Sequence, residues 1–346
     1  MQRNEAAVDV PSCPRLRSHH LNQLPYTIPT GDSLRNARIS FSREQTDLPP
    51  WTDDPILATY KFTNAYRASD RVSQFLIRHV IYRHDLPTHH DEVFFRTLLF
   101  KLFNKIETWE LLERECGPLT WADFDFAKYN GVLSRAMSAG RRIYSAAYIM
   151  PSARTFGHSK KHSNHLALLA KMMSDGLPRK ITKAHRMQEA FDLLIKYPSL
   201  GYFLSYQFIT DINYSDLTQF SENDFVVPGP GALDGLAKCF LDTAGLSPAE
   251  IIRFVTDRQE DEFRRLGIAF RSLWGRPLQL VDCQNLFCEV SKYARQKHPD
   301  VRGLSSRVRI KQRFRPNVAR LDYWFPPKWG INQRIAASTP AEARGD

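Results

Sequence analysis

The chain has 346 residues, 42% of them hydrophobic, and 48 Lys and Arg against 37 Asp and Glu give it a formal charge of +11. That balance excludes a peptide, a collagen-like chain or a wholly disordered one, because 22 Phe, 13 Tyr and 6 Trp supply enough large apolar surface to offset the ordering entropy of a compact fold. No apolar run approaches the roughly 18 residues of a membrane span, and the opening residues lack a signal-peptide core. The five cysteines (Cys13, Cys116, Cys239, Cys283 and Cys288) contain no C-x-x-C pair. This usage fits reduced thiols in the nucleus or cytoplasm.

Residues 1–52 read as a flexible arm, since Pro11, Pro14, Pro25, Pro29, Pro49 and Pro50 interrupt a polar stretch without periodicity. Residues 53–330 are expected to form one mainly α, multi-helical domain. Val72, Phe75, Leu76, His79 and Val80 fall at the spacing of an amphipathic helix. The run from Phe94 to Phe103 is apolar nearly all round, which suits a helix enclosed by its neighbours. Further stripes are Leu166, Leu169, Met172 and Met173, ending near Gly176, and Met187, Ala190, Phe191 and Leu194 before Pro198. Ser247-Pro248-Ala249-Glu250 has the form of a capping box with Pro at the first helical position. A last helix is expected from Asp282, carrying Leu286, Val290 and Tyr293 inward. No alternating run is long enough for a central sheet. Residues 331–346 are small and polar and read as a disordered tail.

Charge is concentrated late in the chain. Arg302, Arg307, Arg309, Lys311, Arg313, Arg315 and Arg320 occur between residues 301 and 320 without a single Asp or Glu. Phe314 is interleaved, and Tyr323, Trp324 and Trp329 follow. This is the footprint of a segment that binds a phosphate backbone; a solvated basic face or a dock for an acidic partner are the alternatives.

Several segments carry candidate chemistry. Pro228-Gly229-Pro230-Gly231 before an apolar helix has the form of a helix-hairpin-helix turn, whose glycines allow close approach to a phosphate, although Pro230 has no amide to donate. Asp282 would serve as an N-cap, or as a carboxylate that stabilises positive charge on a deoxyribose or acts as a base. Asn64, Tyr66, Arg67, Asp70, Arg71 and Gln74 crowd one stretch, and either form a buried polar network or line a pocket. Tyr206, Gln207, Asp211, Asn213 and Tyr214 have the chemistry to stack on and hydrogen-bond a flipped base. His158, His162 and His165 share a helix face, but Lys160 and Lys161 between them favour a polar surface, and no metal site is expected. Neither G-x-x-x-x-G-K-[ST] nor G-x-S-x-G occurs. No cofactor is evident.

Six segments in order, TNAYRASDRVSQFLIR, FFRTLLFKLFNKIETW, RRIYSAAYIM, GYFLSYQFITDINYS, VVPGPGALDGLAKCF and DCQNLFCEVSKY, resemble the helical domain of the 5-hydroxymethyluracil DNA kinase family. That domain is akin to the α-glutamyl/putrescinyl thymine pyrophosphorylases and to helix-hairpin-helix DNA glycosylases. The resemblance spans roughly residues 55 to 330. It implies a DNA-glycosylase-like fold that binds DNA carrying a modified pyrimidine. It also implies a catalytic carboxylate at Asp282, and a base pocket of Asn64, Tyr66, Arg67, Asp70, Arg71, Gln74, Tyr206, Gln207 and Asp211 with Gln284 and Asn285. Backbone contacts would come from Gly229 and Gly231, beside Arg307, Arg309, Lys311, Arg313 and Arg315. Leu233 stands where a Schiff-base lysine would sit in a bifunctional glycosylase, which removes the lyase route. Alternatives within the resemblance are a transferase or a monofunctional glycosylase acting on the modified base; a noncatalytic scaffold is the alternative outside it. A kinase role implies ATP or another phosphoryl or amine donor, and a separate kinase subunit.

Overall fold

A helix that is apolar on every side needs neighbours on every side. The computed structural model describes residues 15–16, 52–147, 150–315 and 321–338. In it the chain runs through α1 (Pro55–Thr59) and α2 (Arg71–Phe75), which continues into a π-helical turn (Leu76–Ile81). Then come α3 (His90–Phe103), α4 (Ile106–Cys116), α5 (Phe126–Ser138), α6 (Lys161–Ser174), α7 (Leu177–Thr182), α8 (Met187–Leu194) and α9 (Tyr202–Ile212). Next are α10 (Pro230–Cys239), α11 (Pro248–Asp257), α12 (Gln259–Arg265), α13 (Leu280–Lys297) and α14 (Asn332–Ser338). The mainly α class is as the sequence predicts. Among the described residues the only sheet is a two-stranded antiparallel pair, β1 (Arg15–Leu16) on β2 (Phe240–Asp242). The rest of the arm expected over residues 1–52 lies outside the described residues, Thr52 excepted. No helix among them is long and apolar enough to cross a membrane.

Two helices organise the interior. α3 is buried from Glu92 to Phe103 and packs against α6, α7, α9 and the π turn. α13 lies along α10 and against α11. At the α10–α13 crossing Gly235 lets two backbones touch, because a Cβ there would sit 2.0 Å from the Phe287 carbonyl oxygen. Gly235→Ala is therefore expected to lower stability by at least about 1–3 kcal/mol, the usual cost of overpacking, since the obstructing atom belongs to backbone. Urea unfolding measures it, and an unchanged midpoint would show that the helices slide apart freely.

The caps are legible. Ser247 and Glu250 form the expected reciprocal box, with the Ser247 N–H donating to Glu250 Oε2 at 2.7 Å and the Glu250 N–H to Ser247 Oγ at 3.3 Å. Gly176 follows α6 with φ +66°, a left-handed conformation that favours glycine.

Four expectations are corrected. The stripe from Val72 to Val80 does not continue as one α-helix: the π turn rotates His79 out to solvent while Leu76 and Val80 stay buried. Arg96 holds that turn from inside, its guanidinium donating to the carbonyls of Val80 at 2.6 Å and Ile81 at 2.8 Å. Asp282 does not open α13; Gln279 is the N-cap and Asp282 the third helical residue, in a box with the Gln279 backbone. His162 and His165 are fully buried rather than on a polar surface. His162 shares a hydrogen bond with Ser134, and His165 bridges the Tyr144 hydroxyl and the Pro151 carbonyl. Burial pushes the His165 imidazole down to about 4, so it is neutral. Finally, residues 332–338 of the expected tail are helical, docked by buried Ile331 and by the Asn332 amide, which bonds both the N–H and the carbonyl of Phe325.

Candidate nucleic-acid interface

After α13 the chain turns back and runs without helix across α10, α13 and the end of α1. The Ser305 N–H donates to Asp234 Oδ1 at 2.6 Å, and the Gln296 amide donates to the Val308 carbonyl at 3.4 Å. Further on, Arg313 forms a β-bridge with Tyr60, flanked by the bonds Lys61 N–H to Gln312 carbonyl and Phe314 N–H to Thr59 carbonyl. The segment is thereby pinned at both ends. Along it Arg302, Arg307, Arg309, Lys311, Arg313 and Arg315 are exposed, and none has an ion-pair partner among the described residues. Arg320 lies outside those residues. A row of uncompensated cations on extended backbone presents a continuous positive edge.

Asp234 is the clip. It is buried in α10 and accepts from the Ser291 hydroxyl and from Lys238 Nζ at 3.0 Å, as well as from Ser305. Burial pushes its carboxyl up, but these donors outweigh that and hold it below the ordinary range. Gly303 lies so close over it that a Cβ would stand 2.3 Å from Asp234 Oδ1.

The Pro228–Gly231 turn starts α10, with Gly229 as N-cap and no side chain capping it. Its glycines have a packing role. A Cβ on Gly229 would meet the Phe203 ring at 2.6 Å, and one on Gly231 would meet Cys288 Sγ at 3.1 Å. No tight hairpin joins α9 to α10. Residues 213–229 form a loop that Asn213 folds on itself, accepting from the Thr218 hydroxyl and the Phe220 N–H while donating to the Phe220 carbonyl.

The polar segments do converge, as a closed network. Arg67, on a short 3-10 turn (Arg67–Ser69), makes a bidentate pair with Asp211 of α9, at 2.7 and 2.9 Å. It also donates to Gln207 Oε1 at 3.0 Å and to the Tyr214 hydroxyl at 2.9 Å. Lys101 of α3 reaches the same carboxylate at 3.1 Å. The side chains of Arg67 and Lys101 are 4% exposed and that of Asp211 is 0% exposed, so no ligand touches them in this conformation. Burial would raise the Asp211 carboxyl, but the Arg67 and Lys101 charges prevail and lower it. Asp282 accepts the Arg67 N–H at 2.9 Å through Oδ1 and the Gln279 N–H at 3.0 Å through Oδ2. Burial pushes its carboxyl up to about 7 against the pull of those two N–H groups.

The remaining candidates flank this network. The Tyr66 hydroxyl donates to the Arg276 carbonyl, and that of Tyr206 to the Phe225 carbonyl. The Asn64 N–H donates to half-buried Asp70, whose carboxyl burial pushes up to about 6. Gln74 bridges the Ala68 carbonyl and the Trp324 N–H. Arg71 is half-buried at the start of α2. Gln284 faces Cys288 inside the fold, and Asn285 is half-buried beside it. Of the two readings that the sequence leaves open for this stretch, the buried network is the one observed. Lys101 and Asp234 escaped the sequence reading. Lys101 did leave a signal, since a lone lysine in FFRTLLFKLF must find a carboxylate.

Because a carboxyl whose folded value is raised stabilises the fold only below that value, the Asp282 contribution is full below about 4 and is lost as pH rises through about 7. In Asp282→Asn the amide NH₂ must face one of the two N–H donors, at a cost of about 1–3 kcal/mol. The stability gap between wild type and variant is expected to narrow from pH 5 to pH 8 in denaturation experiments. A constant gap would show that Asp282 is ionised throughout.

A family model described as the helical domain of 5-hmdU DNA kinase matches residues 34–303. A 5-hmdU DNA kinase of Bacillus phage SP10 is 25% identical over 260 residues, covering 70% of this chain and 40% of that protein. The chain therefore spans well under half of that relative's length. No solved structure matches significantly. With most of its length, from before α1 to the Asp234 clip at Gly303, inside the family match, this chain belongs to the 5-hmdU DNA kinase helical-domain family.

Proposed function

We propose that this chain is the DNA-docking part of a system that phosphorylates 5-hydroxymethyluracil in DNA. The observation that carries the proposal is the row of exposed Arg and Lys, without ion-pair partners among the described residues, on the clipped 302–315 segment. The uncapped N-terminus of α10, at Gly229 to Gly231, serves as a secondary phosphate contact. The relative's name supports the substrate class. The sequence contains no G-x-x-x-x-G-K-[ST], and in this proposal the ATP site lies in another domain or a partner chain. Within this proposal the chain distinguishes 5-hydroxymethyluracil from thymine. The sealed Arg67–Asp211–Asp282 network then acts as the rigid frame rather than as the surface that meets the base.

Fluorescence anisotropy on matched duplexes carrying thymine or 5-hydroxymethyluracil, over a salt series, tests it. Salt-sensitive binding with preference for the modified duplex is expected, and mass gain with ATP only when the kinase part is supplied. Absence of duplex binding at low salt would sink the proposal. The clip makes a separate prediction. Asp234→Ala frees the basic segment, so duplex affinity should fall roughly 3- to 10-fold, reflecting the about 0.5–1.5 kcal/mol needed to re-order each freed group. Unchanged affinity would show that the clip does not matter for binding.

A further inference from the structure

A second basic surface lies outside the 302–315 segment. Between Asp125 and Asp175 the sequence holds eight Lys and Arg and not one Asp or Glu. Of these cations, Arg135 on α5, Arg141, Arg142 and Arg154 on the stretch that follows it, and Lys160 at the N-cap of α6 are exposed. None of the five has an ion-pair partner among the described residues. The start of α6 adds to the same potential, since it carries neither a side-chain cap nor an acidic residue in its first turn.

The stretch between α5 and α6 is held down, so its cations are presented from fixed backbone. Ile143, Met150 and Ala153 are buried beneath it. Its backbone is bonded at three points. The Ser145 N–H donates to the Phe103 carbonyl at 2.9 Å, the Thr108 hydroxyl donates to the Ile143 carbonyl at 2.9 Å, and the neutral His165 donates from Nε2 to the Pro151 carbonyl at 2.6 Å. With Nε2 so committed, His165 accepts the Tyr144 hydroxyl at Nδ1, and the Lys161 ammonium rests on that tyrosine ring, 4.5 Å from its centroid. Backbone fixed in advance lowers the ordering cost of binding.

Two observations decide between a polyanion and a protein as the occupant. Apart from Met137, the exposed residues between the cations are small or polar, among them Gly140, Ala146, Ala147, Gly157 and Ser159. A protein dock is built around aromatic or aliphatic anchors, whereas small residues let a phosphate backbone come close to the guanidiniums. The second observation is continuity. The amide of Gln312, next to Arg313, donates to the Ala146 carbonyl at 3.4 Å, so the positive edge of the 302–315 segment runs directly onto this stretch.

We infer, on the basis of the proposed DNA docking, that Arg141, Arg142, Arg154 and Lys160 form a second phosphate-backbone surface that holds the same duplex as the 302–315 segment and enlarges its footprint. Phosphate contacts carry no base information, so this face contributes equally to duplexes with thymine and with 5-hydroxymethyluracil.

The test is a salt series by fluorescence anisotropy on a thymine duplex of about 24 base pairs, roughly two helical turns. In the triple variant Arg141→Ala, Arg142→Ala and Arg154→Ala the slope of log affinity against log salt should fall by roughly two to three, at about 0.9 per lost contact, with thermal unfolding unchanged. Wild type should then lose roughly 10- to 40-fold more affinity than this variant between 50 and 200 mM salt. A control carrying Lys180→Ala, Lys183→Ala and Lys196→Ala removes the same charge from exposed positions elsewhere, and its slope should stay within about 0.5 of wild type. Adding Arg309→Ala and Arg313→Ala to the first variant should lower the slope by roughly two more, because one duplex crosses both faces. A slope shared by wild type and the Arg141, Arg142 and Arg154 variant, an equal fall in the control, or falls that do not add would each overturn the inference while the docking proposal stands. A wild type that binds no duplex at low salt sinks both.

Discussion

Replacing Asp211 by Asn is expected to cost about 3–5 kcal/mol of stability, the usual penalty for stripping one partner from a buried ion pair. The physical reason is that Asp211 neutralises two cations at once, Arg67 by a bidentate contact and Lys101 at 3.1 Å, all three almost entirely out of solvent. The amide keeps the shape but removes the charge, and one of its ends presents N–H groups to a guanidinium that has only N–H groups to offer. Sign and pH dependence follow. A carboxyl lowered in the fold contributes stability above the unfolded value near 3.8 that is lost as pH falls through its still lower folded value. The wild-type advantage should therefore persist from neutral pH down to about pH 4 and shrink only in stronger acid. Urea midpoints of both proteins at pH 7 and pH 3 measure this. A variant as stable as wild type at pH 7 would falsify the assignment of the network as the frame joining α3, α9 and α13.

The second large effect concerns binding. In the triple variant Arg307→Ala, Arg309→Ala and Arg313→Ala the fold should be unchanged within about 0.5 kcal/mol, because the three side chains are exposed and the clip bonds at Thr59, Lys61 and Asp234 use other groups. Each lost phosphate contact removes about 0.9 from the slope of log affinity against log salt, so the slope should fall by roughly three. Between 50 and 200 mM salt, wild type should lose roughly 40-fold more affinity than the variant does. Parallel salt curves would mean that these cations do not touch phosphates, and would favour the acidic-partner dock.

Some features could be read from local chemistry because local chemistry decides them. The capping box at Ser247, the left-handed Gly176 and the enclosed helix at Phe94–Phe103 depend on residues a few positions apart, or on a face too apolar to leave in water. The π turn could not be read in that way. Its extra residue is accommodated by Arg96, whose bonds to Val80 and Ile81 come from the next helix, and periodicity in Val72–Val80 contains no trace of them. The tail shows the same limit: the polar string after Gly330 becomes helical because Asn332 finds the backbone of Phe325.

Apolar spacing by itself determined that the chain folds as packed helices, and the order of charges that an unbalanced positive run lies late in the chain. Residue order also determined which polar residues were too crowded to be ordinary surface. Only the tertiary structure decided what those residues face. Whether Arg67, Gln207, Asp211 and Asp282 line an opening or close on each other turns on contacts made across α3, α9 and α13, between residues far apart in the chain. Which neighbours the glycines pack against was decided likewise, by Phe203, Phe287 and Cys288 standing within reach of a side chain that is not there. Residue type sets what a group can bond to, and its long-range neighbours determine whether that capacity is already used.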